Sequence, residues 1–398
     1  MYAGRDLRDE DAPFATSNAQ ALRTAQVPWS NTSPMRYLRA ELGAESLAFL
    51  ALFVTPLADF DAVIAEAKAL YPDTDVMACT TAGEISKSGY DDGMIVAIGF
   101  PTADFASRVM MIEGLDTLDG QGLIDHVTLQ RLELEHAYRD FEYGFAFLMI
   151  DGLSKGEDTM TAALSPALGG TPIFGGSAGD GTDFRTTLVS LNGKAAENAA
   201  VLAIVRSRRK TRVFSLDHLV PTEQQMVVTE ADPANRLVKT INAEPAAREY
   251  ARIVGKDPEQ LDRFTFAAHP VVVRIGNEHH VRAIQQVTDT GEIIFFSAVD
   301  EGMVLTVARA QNMVSHLQAT LEGLLDGSEP SDIIGCDCIL RRIEAEQLQI
   351  VRPMSEVLSR HNVIGFSTYG EQIGPLHVNH TMSGVAFYPA DDTSKRQS

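Results

Sequence analysis

The chain reads as an α+β protein of two domains, with mixed, largely antiparallel sheets covered by helices on one side. Three observations predict this. An apolar run stopping at [Ser/Thr]-Thr-x-Gly-Glu occurs once in each half, as Val76-Met77-Ala78-Cys79-Thr80-Thr81-Ala82-Gly83-Glu84-Ile85 and Val363-Ile364-Gly365-Phe366-Ser367-Thr368-Tyr369-Gly370-Glu371-Gln372. Each copy follows an apolar run and a helix-like stretch: Leu47–Val54 and Asp59–Tyr71 before the first, Ile333–Ile339 and Arg342–Arg360 before the second. Helical patterns then alternate with hairpins rather than with single strands throughout, the signature of mixed sheets backed by helices.

A third unit has the same grammar and a different ending. Phe145–Ile150 is apolar, Glu157–Leu168 is helical, and Thr171–Phe174 runs into Gly175-Gly176-Ser177-Ala178-Gly179-Asp180. That glycine density lets backbone approach backbone, or a ligand, where a Cβ would clash.

Around these units, residues 1–35 lack periodicity and read as an irregular arm. The first domain spans 36–205, with strands at Met94–Phe100 and Ser107–Ile112 and a helix at Leu118–His136. Arg185–Leu191 and Ala199–Val205 alternate in β fashion around Asn192-Gly193, a strong hairpin signal. Residues 206–224 read as a crossover, and the second domain spans 225–390. Its strands are expected at Gln225–Thr229, Leu237–Thr240, Val271–Ile275, Val281–Val287, Glu292–Ser297, Met303–Ala308 and Thr381–Tyr388. Its helices are expected at Glu244–Val254, with Pro245 near the start, and at Ala310–Leu325. Residues 391–398 read as a flexible tail.

Composition narrows the function. At 398 residues the chain exceeds one comfortable core, and 45% hydrophobic with 22% charged residues is ordinary for a globular protein. The net charge of −21 repels phosphate backbones and argues against nucleic acid as a partner. The basic cluster Arg206–Arg212 reads as a solvated hairpin turn. The longest apolar run is too short to span a bilayer, and the first residues carry no secretory h-region, so a membrane role is not expected. Three cysteines, Cys79, Cys336 and Cys338, form no disulfide framework and suit a cytoplasmic location.

Several constellations carry chemistry. Gly175–Gly179 matches Gly-x-Ser-x-Gly, but the serine-hydrolase elbow needs a helix after the serine and none is patterned here, so a glycine turn is the better reading and catalysis at Ser177 a minor alternative. Glu84 and Glu371 are candidate acid–base carboxylates or plain turn residues. Cys336-Asp337-Cys338 puts two thiols on one strand face, either as buried small hydrophobes or as half of a metal site. His377-Val378-Asn379-His380 combines two imidazoles with a tight backbone beside the repeated turn, and imidazole is the usual axial ligand of haem. His269 opens a strand of the same domain. The turn residues Thr81, Gly83, Glu84, Gly176, Ser177, Asp180, Tyr369, Glu371 and Asn379 are the ligand-pocket candidates.

Ala78–Ile85 and Gly175–Asp180 resemble the two signature stretches of the FIST N domain. Asn242-Ala243-Glu244-Pro245-Ala246, Gly365–Glu371 and Asn379-His380-Thr381 resemble its FIST C companion. The resemblance covers about residues 35–390 and implies an intracellular signal-input protein, not an enzyme, that binds a small ligand such as an amino acid. A narrower resemblance is to the stand-alone FIST haemoproteins called nitric-oxide-sensing proteins (NosP), in domain layout and in the stretch from Asp337-Cys338-Ile339-Leu340-Arg341-Arg342 through His377-Val378-Asn379. It implies non-covalent haem b, nitric oxide as signal, and a partner histidine kinase in a two-component system, with self-association left open. The family's haem histidine maps onto His377, with His380 and His269 as the other candidates for iron.

Overall fold

Each expected strand–helix–strand unit turns out to be the centre of a larger module, and there are three such modules around one core. The computed structural model describes residues 20–390 apart from Asn277. In the first module an edge strand, Arg23–Pro28, and a helix, Pro34–Leu42, lead into the parallel pair Leu47–Val54 and Asp75–Thr80, joined by the helix Phe60–Leu70. A short hairpin, Glu84–Ser86 with Gly89–Asp91, and a return strand, Met94–Pro101, complete it. The second module repeats this order as Phe105–Glu113, helix Gly120–Ala137, Tyr143–Ile150, helix Glu157–Leu168, Ile173–Ser177, hairpin Val189–Leu191 with Lys194–Ala196, and Ala199–Ser207. The third runs Thr211–Leu216, helix Met313–Glu322, Asp332–Cys338, helices Ile339–Gln347 and Val351–Arg360, Val363–Thr368, hairpin Glu371–Ile373 with Leu376–Val378, and Met382–Phe387.

The modules are interlocked through their hairpins. Each six-stranded sheet has the same order: edge strand, return strand, first parallel strand, second parallel strand, and then a hairpin supplied by another module. The first module's hairpin joins the third sheet, where Glu84 faces Phe366. The third module's hairpin joins the second sheet, where Glu371 faces Gly176. The second module's hairpin joins the first sheet, where Val189 faces Cys79. The exchange closes a ring.

Strand alternation explains why the parallel strands are unbroken apolar runs. Phe49, Ala51 and Phe53 point to one cluster shared with Phe145, Phe147, Phe174, Cys336 and Phe366, while Leu50, Leu52 and Val54 point to the helices of their own module. Both faces of such a strand are covered, as in other parallel sheets. Phe53 stacks on Phe366 with ring centroids 4.4 Å apart and so joins the first and third sheets across the centre, while Phe147 stacks on its strand neighbour Phe174 at 4.7 Å within the second sheet. Each helix layer lies on the far side of its sheet. Asp59, Asp119 and Asn312 cap their helices by accepting a backbone N–H from Ala62, Gly122 and Ser315.

The third module carries an insertion after its edge strand. Residues 219–310 form an eight-stranded sheet with the helices Ala246–Val254 and Arg263–Ala268, built around Met226, Val238, Tyr250, Phe266, Phe295 and Leu305. The α+β class, the mixed sheets and the one-sided helical cover are as expected.

Several local expectations differ from the structure. Of the stretch expected to be an irregular arm, 1–19 lie outside the described residues and Arg23–Pro28 is a strand; the tail 391–398 also lies outside them. The segment 206–224 carries the strand Thr211–Leu216 and the start of Leu219–Asp232. Its basic cluster is a corner between two sheets rather than a hairpin. There Arg208 pairs with Asp140, Arg209 with Asp104 and Lys210 with Asp326. Asn192-Gly193 does turn a hairpin, with φ of 54° and 81°. Its second arm is Lys194–Ala196, however, and Ala199–Ser207 leaves for a different sheet. The expected helix Arg342–Arg360 is two helices, broken where Gln349 adopts φ 57°.

Candidate functional site

The repeated turns are closed. Thr81 donates its hydroxyl to Glu84 at 2.5 Å, and the other Glu84 oxygen accepts the Met94 N–H at 2.9 Å. Burial pushes the Glu84 carboxyl up to about 7 against those two bonds. Gly83 has φ 126°, and a Cβ there would lie 2.0 Å from the Arg342 guanidinium, so the turn requires glycine. The second copy repeats the arrangement: Thr368 and Thr381 both donate to Glu371, which is wholly buried, and burial raises its carboxyl well above the usual range. The two carboxylates sit in different turns, each satisfied by the threonine that opens its turn and by one further donor, the Met94 N–H for Glu84 and the Thr381 hydroxyl for Glu371.

The Gly-rich ending of the second module is also interior. A Cβ on Gly176 would lie 2.4 Å from Thr368 and 2.9 Å from the Phe366 ring, so this glycine permits the central sheets to meet. Ser177 is fully buried and its Oγ accepts from Gln372 Nε2 at 2.9 Å; a loop, not a helix, follows it. Asp180 anchors that loop. Its carboxylate accepts the backbone N–H groups of Phe184, Arg185 and Thr186 and the Tyr369 hydroxyl, and these bonds hold it below the usual range although partial burial works the other way. Tyr369 stacks on Phe184 at 4.3 Å.

Phe184 belongs to a cleft between this loop, the helix Ile339–Gln347 and the insertion, with a volume of about 450 Å³. That lies within the roughly 300–1,000 Å³ common for small-molecule sites. Phe184, Phe296, Leu340 and Ile343 supply apolar walls, Asp183, Gln285 and Gln286 a polar edge, and His380 a buried imidazole. His380 has φ 57°, a left-handed conformation uncommon outside glycine, although asparagine, aspartate and histidine enter it more readily than other residues. Side chains held in such strain cluster at functional sites.

Behind His380 runs a buried polar chain. His380 Nε2 lies 2.8 Å from Glu344 Oε2, and His218 Nε2 lies 2.9 Å from the same oxygen. Arg341 Nη1 is 3.0 Å from His218 Nδ1, and Arg341 Nε donates to Asp337 at 2.6 Å. Asp337 in turn accepts from the Tyr90 hydroxyl. Burial alone would raise the Glu344 carboxyl; the His218 and His380 bonds outweigh it and hold the group down at about 2. Burial lowers His218, against the pull of Glu344. His218, Glu344 and His380 bring three ligand-type atoms within 4.8 Å of one another. They do not make a cation centre as they stand. A guanidinium only donates, so His218 Nδ1 accepts and Nε2 carries the proton where a metal needs a lone pair.

The other sequence candidates are apart from the cleft lining. His377 is buried between Gly370 and Glu157: its Nδ1 is 3.3 Å from Gln372 Nε2, and its Nε2 has no hydrogen bond and lies 4.0 Å from Glu157 Oε1. Burial lowers His377, opposed by Glu157 and Asp158. Asn379 donates to the Tyr369 carbonyl. His269 is half-buried and caps the helix Arg263–Ala268, next to Pro270 of the cleft wall; burial and Lys256 lower it. Cys336 sits in the aromatic core, Cys338 ends its strand, and burial raises both thiols. Sequence reasoning missed His218, Glu344, Arg341, Phe184 and Phe296. An available signal was Asp337 and Arg341, oppositely charged residues four apart at the junction of an apolar strand and a helix.

Among the described residues no helix is long and apolar enough to cross a membrane. Among curated proteins none matches the chain. The FIST N domain matches residues 48–244 and the FIST C domain residues 246–374, together most of the sequence. With both domains present in order, the chain belongs to the FIST family of sensory signal-transduction domains, which bind small ligands.

Proposed function

We propose that this FIST protein is a cytoplasmic haem-binding input protein that senses nitric oxide and regulates a partner such as a histidine kinase, with the cleft at His380 as its ligand site. The observation that carries the reading is a buried imidazole, backed by a carboxylate, at the edge of an aromatic-lined cleft. Ligating histidines characteristically donate their other ring N–H to a carboxylate, so the donor set suits a metal-centred cofactor. His380 would hold the iron, and Phe184, Phe296, Leu340 and Ile343 the apolar faces. Bound haem supplies an iron that takes up a diatomic gas.

The protein's own part is to convert occupancy into a changed surface. His380 stands where the chain leaves the second sheet for the third, between Leu376–Val378 and Met382–Phe387. A shift of His380 pulls on Glu344 and the helix Ile339–Gln347, whose Arg342 grips the Asp91 carbonyl and the Asp92 carboxylate of the exchanged hairpin. A tenfold change in partner affinity requires about 1.4 kcal/mol of preference between the two states.

The test is haemin titration of the purified chain beside His380→Ala and His377→Ala. A saturable Soret band at one equivalent, lost or displaced in His380→Ala, kept in His377→Ala and shifted by nitric oxide, is the expected result. Loss in His377→Ala alone moves the site away from the cleft. No saturable band favours the second reading, a small metabolite such as an amino acid bound at the polar edge formed by Asp183, Gln285 and Gln286. Thermal stabilisation by that ligand would then be the assay.

A further inference from the structure

We infer that Glu344 is the positioning residue of the cleft: it fixes His380 as the Nε2–H tautomer, so that the nitrogen offered to a ligand is Nδ1. The inference rests on the reading of the cleft as the ligand site and adds which atom of His380 meets the ligand and what sets it.

The assignment follows by elimination along the buried chain. The Arg341 guanidinium has no lone pair to accept with, so the 3.0 Å contact makes His218 Nδ1 the acceptor. The His218 proton therefore sits on Nε2 and is donated to Glu344 Oε2. That same oxygen is 2.8 Å from His380 Nε2. An ionised carboxylate only accepts, so His380 Nε2 is the second donor, and in the neutral ring the lone pair is left on Nδ1. Arg341 is itself fixed by Asp337, and Asp337 by Tyr90. Asp337, Arg341, His218, Glu344 and His380 are all buried, so water does not compete along these bonds for the tautomer.

Two features make this a setting device rather than a packing accident. Glu344 takes two imidazole donors on one oxygen, which orients His380 about its ring plane as well as its tautomer. His380 is also held at φ 57°, so backbone and ring are both constrained where the side chain meets the cleft. The ligand chemistry that fits is an electron-pair acceptor: a haem iron, or a ligand N–H or O–H.

Long-range proton–nitrogen spectra of the ligand-free full chain, with histidine imidazoles labelled with nitrogen-15 and His380 assigned through His380→Asn, read the tautomer directly. The expected result is Nε2–H for His380 in the wild type and in Glu344→Gln, which keeps a carbonyl acceptor, and loss of that single tautomer in Glu344→Leu. Nδ1–H in the wild type, or an unchanged Nε2–H in Glu344→Leu, overturns the inference. If Glu344→Leu does not fold, the wild-type and Glu344→Gln spectra still decide. Haemin titration separates the two proposals: partner loss at a ligating histidine weakens binding about 10- to 100-fold, so Glu344→Leu is expected to lose that much and Glu344→Gln less. No wild-type haemin binding with the expected tautomers leaves the positioning role standing and removes haem as the ligand. Haemin binding that Glu344→Leu leaves intact keeps the haem reading and removes the positioning role.

Discussion

Two of the three modules finish their second parallel strand in the same way, and the remaining one does not. After Thr80 and after Ser367 the chain makes a four-residue turn, Thr-x-Gly-Glu, and passes directly into the exchanged hairpin. After Ser177 it instead runs through a loop to Val189 before its hairpin begins. The register makes these positions equivalent, since Glu84, Glu371 and Val189 each open a hairpin opposite Phe366, Gly176 and Cys79. The two matching turns are sealed by their own hydroxyls. The odd one carries Thr182, Asp183 and Phe184 to the cleft, and the other wall of the cleft is the insertion that only the third module has. The repeat builds the scaffold, and the site lies where the repeat is broken.

The comparison is broken most severely at Glu371. If its turn is scaffold, Glu371→Ala removes a buried side chain and strands the hydroxyls of Thr368 and Thr381, at a cost of about 3–4 kcal/mol. The midpoint of urea unfolding measures this. A loss below about 1 kcal/mol would mean that the carboxylate is not what closes the turn, and its burial would then point to a ligand role.

Glu84 sharpens the same point through pH. Its carboxyl is raised from 4.5 to about 7, so between those values the folded protein keeps a proton that the unfolded chain has released. Stability from this group is therefore full below about pH 4.5, falls as the pH rises to 7, and is level above; the total is about 3 kcal/mol. Glu84→Gln has no charge to bury. It can donate to Thr81 Oγ while the Thr81 hydroxyl turns to the Val54 carbonyl. We expect the variant to lose that slope, read as the difference in unfolding free energy from wild type at pH 5 and pH 7.5. A difference that does not change with pH contradicts a buried titrating carboxylate.

How much of this was legible in the sequence follows from the range of the interactions. The strand Leu47–Val54 and the helix Glu157–Leu168 are written in local periodicity and appear with those bounds. The hairpin exchange is not, because Glu84 pairs with Phe366 and Glu371 with Gly176 through backbone hydrogen bonds that leave no local pattern. The repeated Thr-x-Gly-Glu marked the scaffold turns, and repetition alone does not say whether a turn faces a ligand or seals itself. His377 and His380 look alike in sequence, three residues apart. Only the packing of Gly370 against one ring, and of Glu344 and the cleft against the other, separates them. His218, Glu344 and His380 come from three distant segments, so no spacing rule joins them.

The mildest test addresses the odd module itself. Asp180 accepts from Phe184, Arg185 and Thr186 together, with the Tyr369 hydroxyl a longer second acceptor for Phe184, and Asp180→Asn replaces one acceptor oxygen by a donor that faces N–H groups. The side chain is partly exposed, so water compensates in part and the global urea midpoint should move little. The loop should open instead. A local loss of about 1.4 kcal/mol raises amide exchange about tenfold at Phe184, Arg185 and Thr186, while the amides of Ser367 and Ala82 in the sealed turns keep their protection. Because Phe184 walls the cleft, haemin affinity should fall with the same variant. If the loop amides are unaffected, Asp180 does not anchor the loop, and if the sealed turns loosen as well, the three strand ends are one cooperative unit and the division between scaffold and site is wrong.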